Sequence, residues 1–320
     1  MAKKSKRRAP SGSSNRAERV AARKARQAAA LAGPVRPFAA LPAAECDLVA
    51  MRAFIASATA QVRFVDGFDA PNEVDFVTIL PGAVPGLVRT RDASKWGKFA
   101  AERGLTGIVT QGLAALQTDP EPADLADSLA TVLGWAAKAA SGSEFRGADS
   151  PGGLAGVVDP SAALDVIVYP DFDWWFGDDA DVTPQVRAML ERANETIMPT
   201  ARLTPPSGVG APWWVDAGDR AHLRWVRPED EDALMKAMAK LHAAGRLTMG
   251  EGSRFAGSFR THGLVVPVFD LDNERHHEEW YGALDALDKA FAEALADDSD
   301  LTAAERSSRA GILGRQVTLR

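Results

Sequence analysis

Gly250-Glu251-Gly252-Ser253-Arg254-Phe255-Ala256-Gly257-Ser258-Phe259-Arg260-Thr261-His262-Gly263-Leu264-Val265-Val266-Pro267-Val268-Phe269-Asp270 holds four glycines, two arginines, one histidine and two acids, and it closes in an apolar run that reads as a strand. Glycines at this density mark turns and close backbone approach. Polar groups set between such turns and a buried strand are where a binding site is expected.

On its N-terminal side, Thr200–Leu203, Pro212–Val215 and His222–Val226 read as short strands joined by Pro/Gly/Asp turns, the pattern of an antiparallel meander. A helix follows from Pro228, with Glu229, Asp230 and Glu231 suiting the positive end of its dipole and Leu234, Met238 and Leu241 as its apolar stripe. On the C-terminal side, a long helix from about Arg275 to Ala296 turns Trp280, Leu284, Leu287, Phe291 and Leu295 inward. Further upstream, Leu164–Tyr169 reads as a strand. Thr183 is a good N-cap with Pro184 at the first helical position, ahead of a stripe of Val186, Met189, Leu190, Ala193 and Ile197.

The first half repeats the mixture. A helix carries Leu48, Met51 and Ile55, and strands are expected at Thr59–Val65, Val74–Leu80, Leu87–Thr90 and Ile108–Gln111. Residues 91–104 read as a polar insertion, and a helix opening at Pro122 carries Leu125, Leu129, Val132, Leu133 and Ala136. Short strands followed by helices argue for an α+β fold with antiparallel or mixed sheets and helices on one face, since a doubly wound sheet would alternate strand and helix strictly. The Gly/Ser/Pro/Asp-rich stretch 141–156 divides the body into a half at 36–145 and a half at 157–320. The halves are alike in make-up, but no residue-level self-similarity supports a duplication.

The chain has 320 residues, 46% hydrophobic and 25% charged, as a globular protein should. No apolar run reaches the roughly 18 residues of a membrane span, and the basic N-terminus lacks the apolar stretch of a secretory signal. These features give a cytoplasmic expectation. One cysteine, Cys46, excludes an internal disulfide and a cysteine-cluster metal site.

Charge is unevenly spread. The first 36 residues carry Lys3, Lys4, Lys6, Arg7, Arg8, Arg16, Arg19, Arg23, Lys24, Arg26 and Arg36 against Glu18 alone. A net charge of −6 that includes this +10 leaves −16 for the remaining residues. Residues 1–14 are expected to be disordered, and 15–31 are Ala/Arg-rich with few apolar anchors. Such an arm suits RNA, the ribosome or another acidic surface. The alternative is a solvated tail, or one docked on the acidic body.

Alternation puts His222 and Arg224 on one face of their strand and Leu223 and Trp225 on the other. Together with Glu251, Arg254, Arg260, His262 and Asp270 they form the candidate ligand site, suited to phosphate or carboxylate. The commoner outcome is that these arginines pair with Asp216, Asp219, Glu251 and Asp270 as structural ion pairs. Ser253 or Ser258 with His262 and Asp270 would make a nucleophilic set, but no Gly-x-Ser-x-Gly elbow supports it. Dinucleotide and P-loop patterns fail as well. His276-His277 with Glu278 and Glu279 reads as a solvated helix start, so no metal or cofactor is expected. Six of eight tryptophans (Trp174, Trp175, Trp213, Trp214, Trp225, Trp280) fall in the second half and are expected in the core.

The strings Ala221–Val226, Gly250–Val268 and Arg315–Arg320, with Arg36–Pro42 and Thr183–Thr204, resemble domain-of-unknown-function family 5926 of high-GC Gram-positive bacteria. The likeness extends over roughly residues 36–320. Many members carry an N-terminal cysteine/histidine zinc motif like that of the preprotein translocase ATPase, and are labelled translocase-like for it. Here the N-terminal segment has neither cysteine nor histidine, and a basic arm stands in that place. The resemblance supplies no catalytic residues. The primary expectation is a binding or adaptor protein. A small-anion enzyme or sensor, and a translocation accessory, are the alternatives.

Overall fold

The computed structural model describes residues 36–79, 82–96, 100–101, 103–176 and 183–318. The expected basic arm, residues 1–35 with its ten cations, lies outside the described residues, as do Leu80, Lys98 and Glu102 of the expected elements.

Residues 37–320 form one compact unit. The elements run α1 (Glu45–Ala53), β1 (Ala58–Gln61), β2 (Glu73–Val77), β3 (Gly86–Asp92), β4 (Ile108–Ala115), α2 (Leu125–Ala136), β5 (Val166–Val168) and α3 (Pro184–Asn194). They continue with β6 (Thr200–Arg202), β7 (Ala211–Asp216), β8 (Ala221–Val226), α4 (Glu231–Ala243), β9 (Ser253–Thr261), β10 (Leu264–Leu271), α5 (Tyr281–Ala296), α6 (Ala303–Leu313) and β11 (Val317–Thr318). Short 3-10 turns occur at Ala93–Trp96, Leu154–Gly156, Asp173–Trp175 and His277–Trp280.

The strands make two sheets, β3-β4-β2-β1-β5 and β11-β9-β10-β8-β7-β6. The first is mixed, because β2 and β4 run parallel while the other pairs are antiparallel. The second is antiparallel except for β11 alongside β9. This is the α+β class, and β6–β7–β8 is the expected meander. β5 follows the Gly/Ser-rich break at 141–156, yet it pairs with β1, so the chain returns to the first sheet before building the second.

Local chemistry explains where the helices start. The Thr183 side chain accepts from Val186 N with Pro184 at the first position, and Asp230 accepts from Asp232 N and Ala233 N. Thr302 and Glu305 form a reciprocal capping box at α6.

β8 alternates as its sequence dictates. Leu223 and Trp225 join Phe255, Phe269 and the inward stripes of α4 and α5 in one core. The opposite face of the second sheet contributes Ala211, Trp213, Val226, Leu264 and Val266 to a second core, shared with α1, α2, β1 and β2. The two sheets therefore have a common interior. Asp47 of α1 pins it, accepting from Arg202 Nε (2.7 Å) and Nη2 (3.2 Å) on β6. Trp213, Trp225 and Trp280 are completely buried. At 150–250 Å² each, every one represents roughly 4–6 kcal/mol of transfer free energy before entropy is charged against it.

Candidate functional site

Asp270, on β10, is the hub of the predicted cluster. Register places it between His222 of β8 and Arg254 of β9. Its Oδ2 accepts from Arg254 Nη2 (2.5 Å) and Arg220 Nη1 (2.9 Å), and its Oδ1 lies 3.2 Å from His222 Nδ1. Burial alone would raise the Asp270 pKa, but the Arg254 hydrogen bond and the neighbouring positive charges outweigh it and hold the carboxyl below its ordinary value. His222 is pushed down by burial and by Arg224, with Asp270 opposing. One carboxylate thus absorbs two guanidinium groups and orients one neutral imidazole. Arg224 shares the face, as alternation requires, and its guanidinium lies over the Phe54 ring, 5.3 Å from the centroid.

The remaining predicted residues are elsewhere. Val268 pairs with Gly257 but Phe269 pairs with Phe255, so Ala256 is an extra residue that bulges β9. A bulge of one residue reverses the faces on either side of it. Arg254 and Arg260, six positions apart, would share a face on an uninterrupted strand. Instead Arg260 turns to the helix-covered face and pairs with Glu231 of α4. His262 and Gly263 form the two-residue turn between β9 and β10, both at positive φ (48° and 77°), as a type I′ hairpin turn demands. Six strand residues of about 3.4 Å separate that turn from Asp270, so His262 is about 20 Å from the hub. There, Arg52 Nε donates to His262 Nε2 at 2.7 Å. Since arginine keeps its protons, Nε2 is the acceptor, and Nδ1–H donates to Thr261 Oγ1 at 2.8 Å. Burial first, then Arg52, pushes the His262 pKa down to about 4. Glu251 is exposed, and its backbone carbonyl accepts from Arg275 Nη1.

The Ser-His-Asp set therefore does not assemble. Ser253 Oγ donates to Gly250 O at 2.7 Å within its loop, and Ser258 is buried on the face opposite Asp270. His276, His277 and Glu278 bring potential ligand atoms within 4.8 Å of one another. Helix-start chemistry accounts for this grouping, because the His276 side chain and Glu279 form a reciprocal cap.

A second polar constellation lies on the first sheet. Val77, Leu113 and Ala115 line one end of a face and pack against Trp174, Trp175, Leu190 and Ala193. Along the same face the side chains become polar: Thr59, Asp75, Arg89 and Gln111, all buried. Arg89 Nη2 donates to Trp174 O (2.7 Å), and Arg89 Nε donates to Gln111 Oε1 (3.2 Å). Gln111 Nε2 donates to Asp75 Oδ2 (2.6 Å), while Arg103 Nη2 donates to Asp75 Oδ1 (2.9 Å). This chain fixes every member, as buried polar groups require. It floors a cavity of about 150 Å³ lined by Thr59, Asp75, Arg91, Lys95, Arg103, Gln111, Tyr169 and Trp174.

A family model described as a family of unknown function (DUF5926) matches residues 37–320. The chain belongs to this family. No curated protein and no solved structure matches it. The DUF5926 match covers both constellations, the Asp270 hub and the cavity on the first sheet. Sequence reasoning did not find the second. Its trace is an aspartate inside an apolar strand, Glu73-Val74-Asp75-Phe76-Val77, with Arg89 and Gln111 likewise on inward-facing positions of their strands.

Proposed function

We propose that the protein is a cytoplasmic binding or adaptor protein whose basic N-terminal segment contacts an acidic partner, RNA or the ribosome. The observation that carries this reading is the charge division: +10 in the first 36 residues against −16 in the rest. Among the described residues, no helix is long and apolar enough to cross a membrane. Within the body, the Asp270 hub ties Arg220 and Arg254 to a carboxylate, and Glu231 ties Arg260. That cluster is thereby left as architecture, and the N-terminal cations remain the strongest attraction for a polyanion. Contact by counterion release needs no sequence reading.

The test compares full-length protein with a version lacking residues 1–35 in co-sedimentation with ribosomes and with bulk RNA. Engagement of five cations predicts binding about 100-fold weaker at 200 mM than at 50 mM salt, from a slope of about −0.7 per phosphate contact. The shortened protein should remain folded and lose this salt-sensitive fraction. Equal co-sedimentation of the two defeats the reading.

A small-anion sensor is the second reading. It is supported by the polar network of the first sheet, where Asp75 accepts from Arg103 and Gln111 beside a cavity of about 150 Å³.

A further inference from the structure

We infer that Arg224 and His222, neighbours on one face of the second sheet, bind a phosphoryl group that still carries a proton, from orthophosphate or a small phosphomonoester. The Asp270 hub leaves this pair open. Arg220 and Arg254 both donate to Asp270 Oδ2. Arg224 stands outside that pairing. Its guanidinium lies over the Phe54 ring, and among the described residues it meets no hydrogen-bond acceptor and no carboxylate. Burial alone pushes its pKa down, with no negative charge opposing. A half-buried guanidinium without a counter-charge carries a desolvation cost that a bound oxyanion would offset.

The charge count agrees. Arg220, Arg224 and Arg254 stand against Asp270, with His222 neutral, so two positive charges are left over on this face. They are left over in a body that sums to −16 beyond residue 36. The site is separate from the N-terminal segment and from the first-sheet network, so its failure would leave the polyanion contact and the first-sheet sensor standing.

Hydrogen-bond roles narrow the ligand. Asp270 Oδ1, 3.2 Å from His222 Nδ1, holds the proton of the neutral ring there, which leaves Nε2 as an acceptor. Arg224 only donates. Two positions along a strand are roughly 7 Å apart, and a tetrahedral oxyanion with hydrogen bonds of about 2.8 Å on either side spans that gap. The ligand has to accept from Arg224 and donate to Nε2. A phosphoryl monoanion does both, through P–O⁻ and P–OH, and a second pKa of about 6 keeps that proton partly bound near neutral pH. Whether the proton stays on oxygen or passes to Nε2, the complex holds the same atoms and the same charge. Sulfate and carboxylates bring no such proton, so their oxygens would face the Nε2 lone pair. Burial and Arg224 push the His222 pKa down, which disfavours taking the missing proton from water. The other groups around the ring are Arg220 and Arg254, both held by Asp270, and the apolar Val215 of β7.

The experiment titrates the full chain by calorimetry at pH 6.5 and constant ionic strength with orthophosphate, glycerol 3-phosphate, sulfate and acetate. Saturable binding of at least one phosphoryl ligand is expected, with Kd below about 1 mM and about tenfold or more tighter than sulfate; the tighter of the two identifies the source. Sulfate also accounts for unspecific attraction to the N-terminal cations. R224Q should weaken phosphoryl binding about tenfold or more, and H222L should abolish the margin over sulfate. Because Arg224 also packs on Phe54, a second measurement uses the unaltered protein. Orthophosphate should shift the His222 ring resonances, assigned by their loss in H222L, and leave those of His242 in place. No saturable phosphoryl binding up to about 10 mM, sulfate or acetate binding as tightly as phosphate, undiminished affinity in R224Q, a margin retained in H222L, or unmoved His222 resonances each overturns the proposal.

Discussion

Replacing His262 with Asn should flatten the acid limb of the stability curve. The free imidazole protonates near 6.5, whereas in the fold burial and Arg52 hold it neutral down to about 4. Between those values the unfolded chain binds a proton that the native state does not, so stability rises with pH there. The destabilisation is absent above about 6.5, grows as pH falls, and is complete below about 4. At 1.36 kcal/mol per pH unit the full interval is worth about 3.4 kcal/mol. The ring is half-buried, and solvent screening reduces this to about 2 kcal/mol. The groups facing the ring are the Arg52 guanidinium, whose own partner is Glu121 at 2.6 Å, the Thr261 hydroxyl and the Phe38 ring. Protonation would set an imidazolium against Arg52 and cancel the hydrogen bond that Nε2 accepts. Asn tolerates positive φ and so preserves the turn, and it does not titrate. Urea unfolding from pH 4 to 8 provides the measurement. His222 and His277, both also pushed down by burial, contribute equally to both proteins and drop out of the difference. The unaltered protein should lose about 2 kcal/mol more than H262N on going from pH 7 to pH 4. Parallel curves refute the buried, Arg52-facing imidazole.

Two further outcomes test the packing. At Gly210 (φ 74°) an added Cβ would run into Val226 O and lie 2.9 Å from Trp225 Nε1, so G210A should cost roughly 3 kcal/mol or more. G208A, at φ 69° with open space around it, should cost roughly 1 kcal/mol in the same thermal melts, and equal losses would contradict the close approach. Burial, reinforced by Asp47 and Glu45, pushes the Cys46 thiol up to about 12. A disulfide reagent at pH 8 should therefore leave native Cys46 unmodified and react fully in denaturant; rapid native labelling would show that α1 is not packed as described.

What was legible in the sequence was local chemistry. Thr183-Pro184 starts α3 at the residue its capping chemistry indicates, and the alternation of His222–Val226 sorts Leu223 and Trp225 to the helix-covered core. The α+β class followed from the order of such elements. What escaped were pairings between distant segments. β5 reads as the opening of a second half, but its partner is β1, over 100 residues back. β11 lies at the end of the chain and pairs with β9, and neither its own two residues nor their neighbours specify that edge.

The two sites failed to be read for different physical reasons, and the difference is instructive. Arg254, Arg260 and His262 are close in sequence, so proximity argued for convergence. One inserted residue, Ala256, reverses the side-chain period, and the turn at His262 carries the imidazole to the far end of the hairpin. A bulge is invisible to a count that assumes period two. The cavity is the opposite case, because Thr59, Asp75, Arg103, Gln111 and Tyr169 are spread over 110 positions and no spacing links them. Each is nonetheless anomalous alone: Asp75, at 1% exposure, sits in a strand whose neighbours Val74 and Phe76 are core residues. A buried carboxylate costs several kcal/mol unless it is paired and hydrogen-bonded. Its presence in an apolar strand therefore implies donors from elsewhere in the chain before any coordinate is known. Arg103 and Gln111 are those donors.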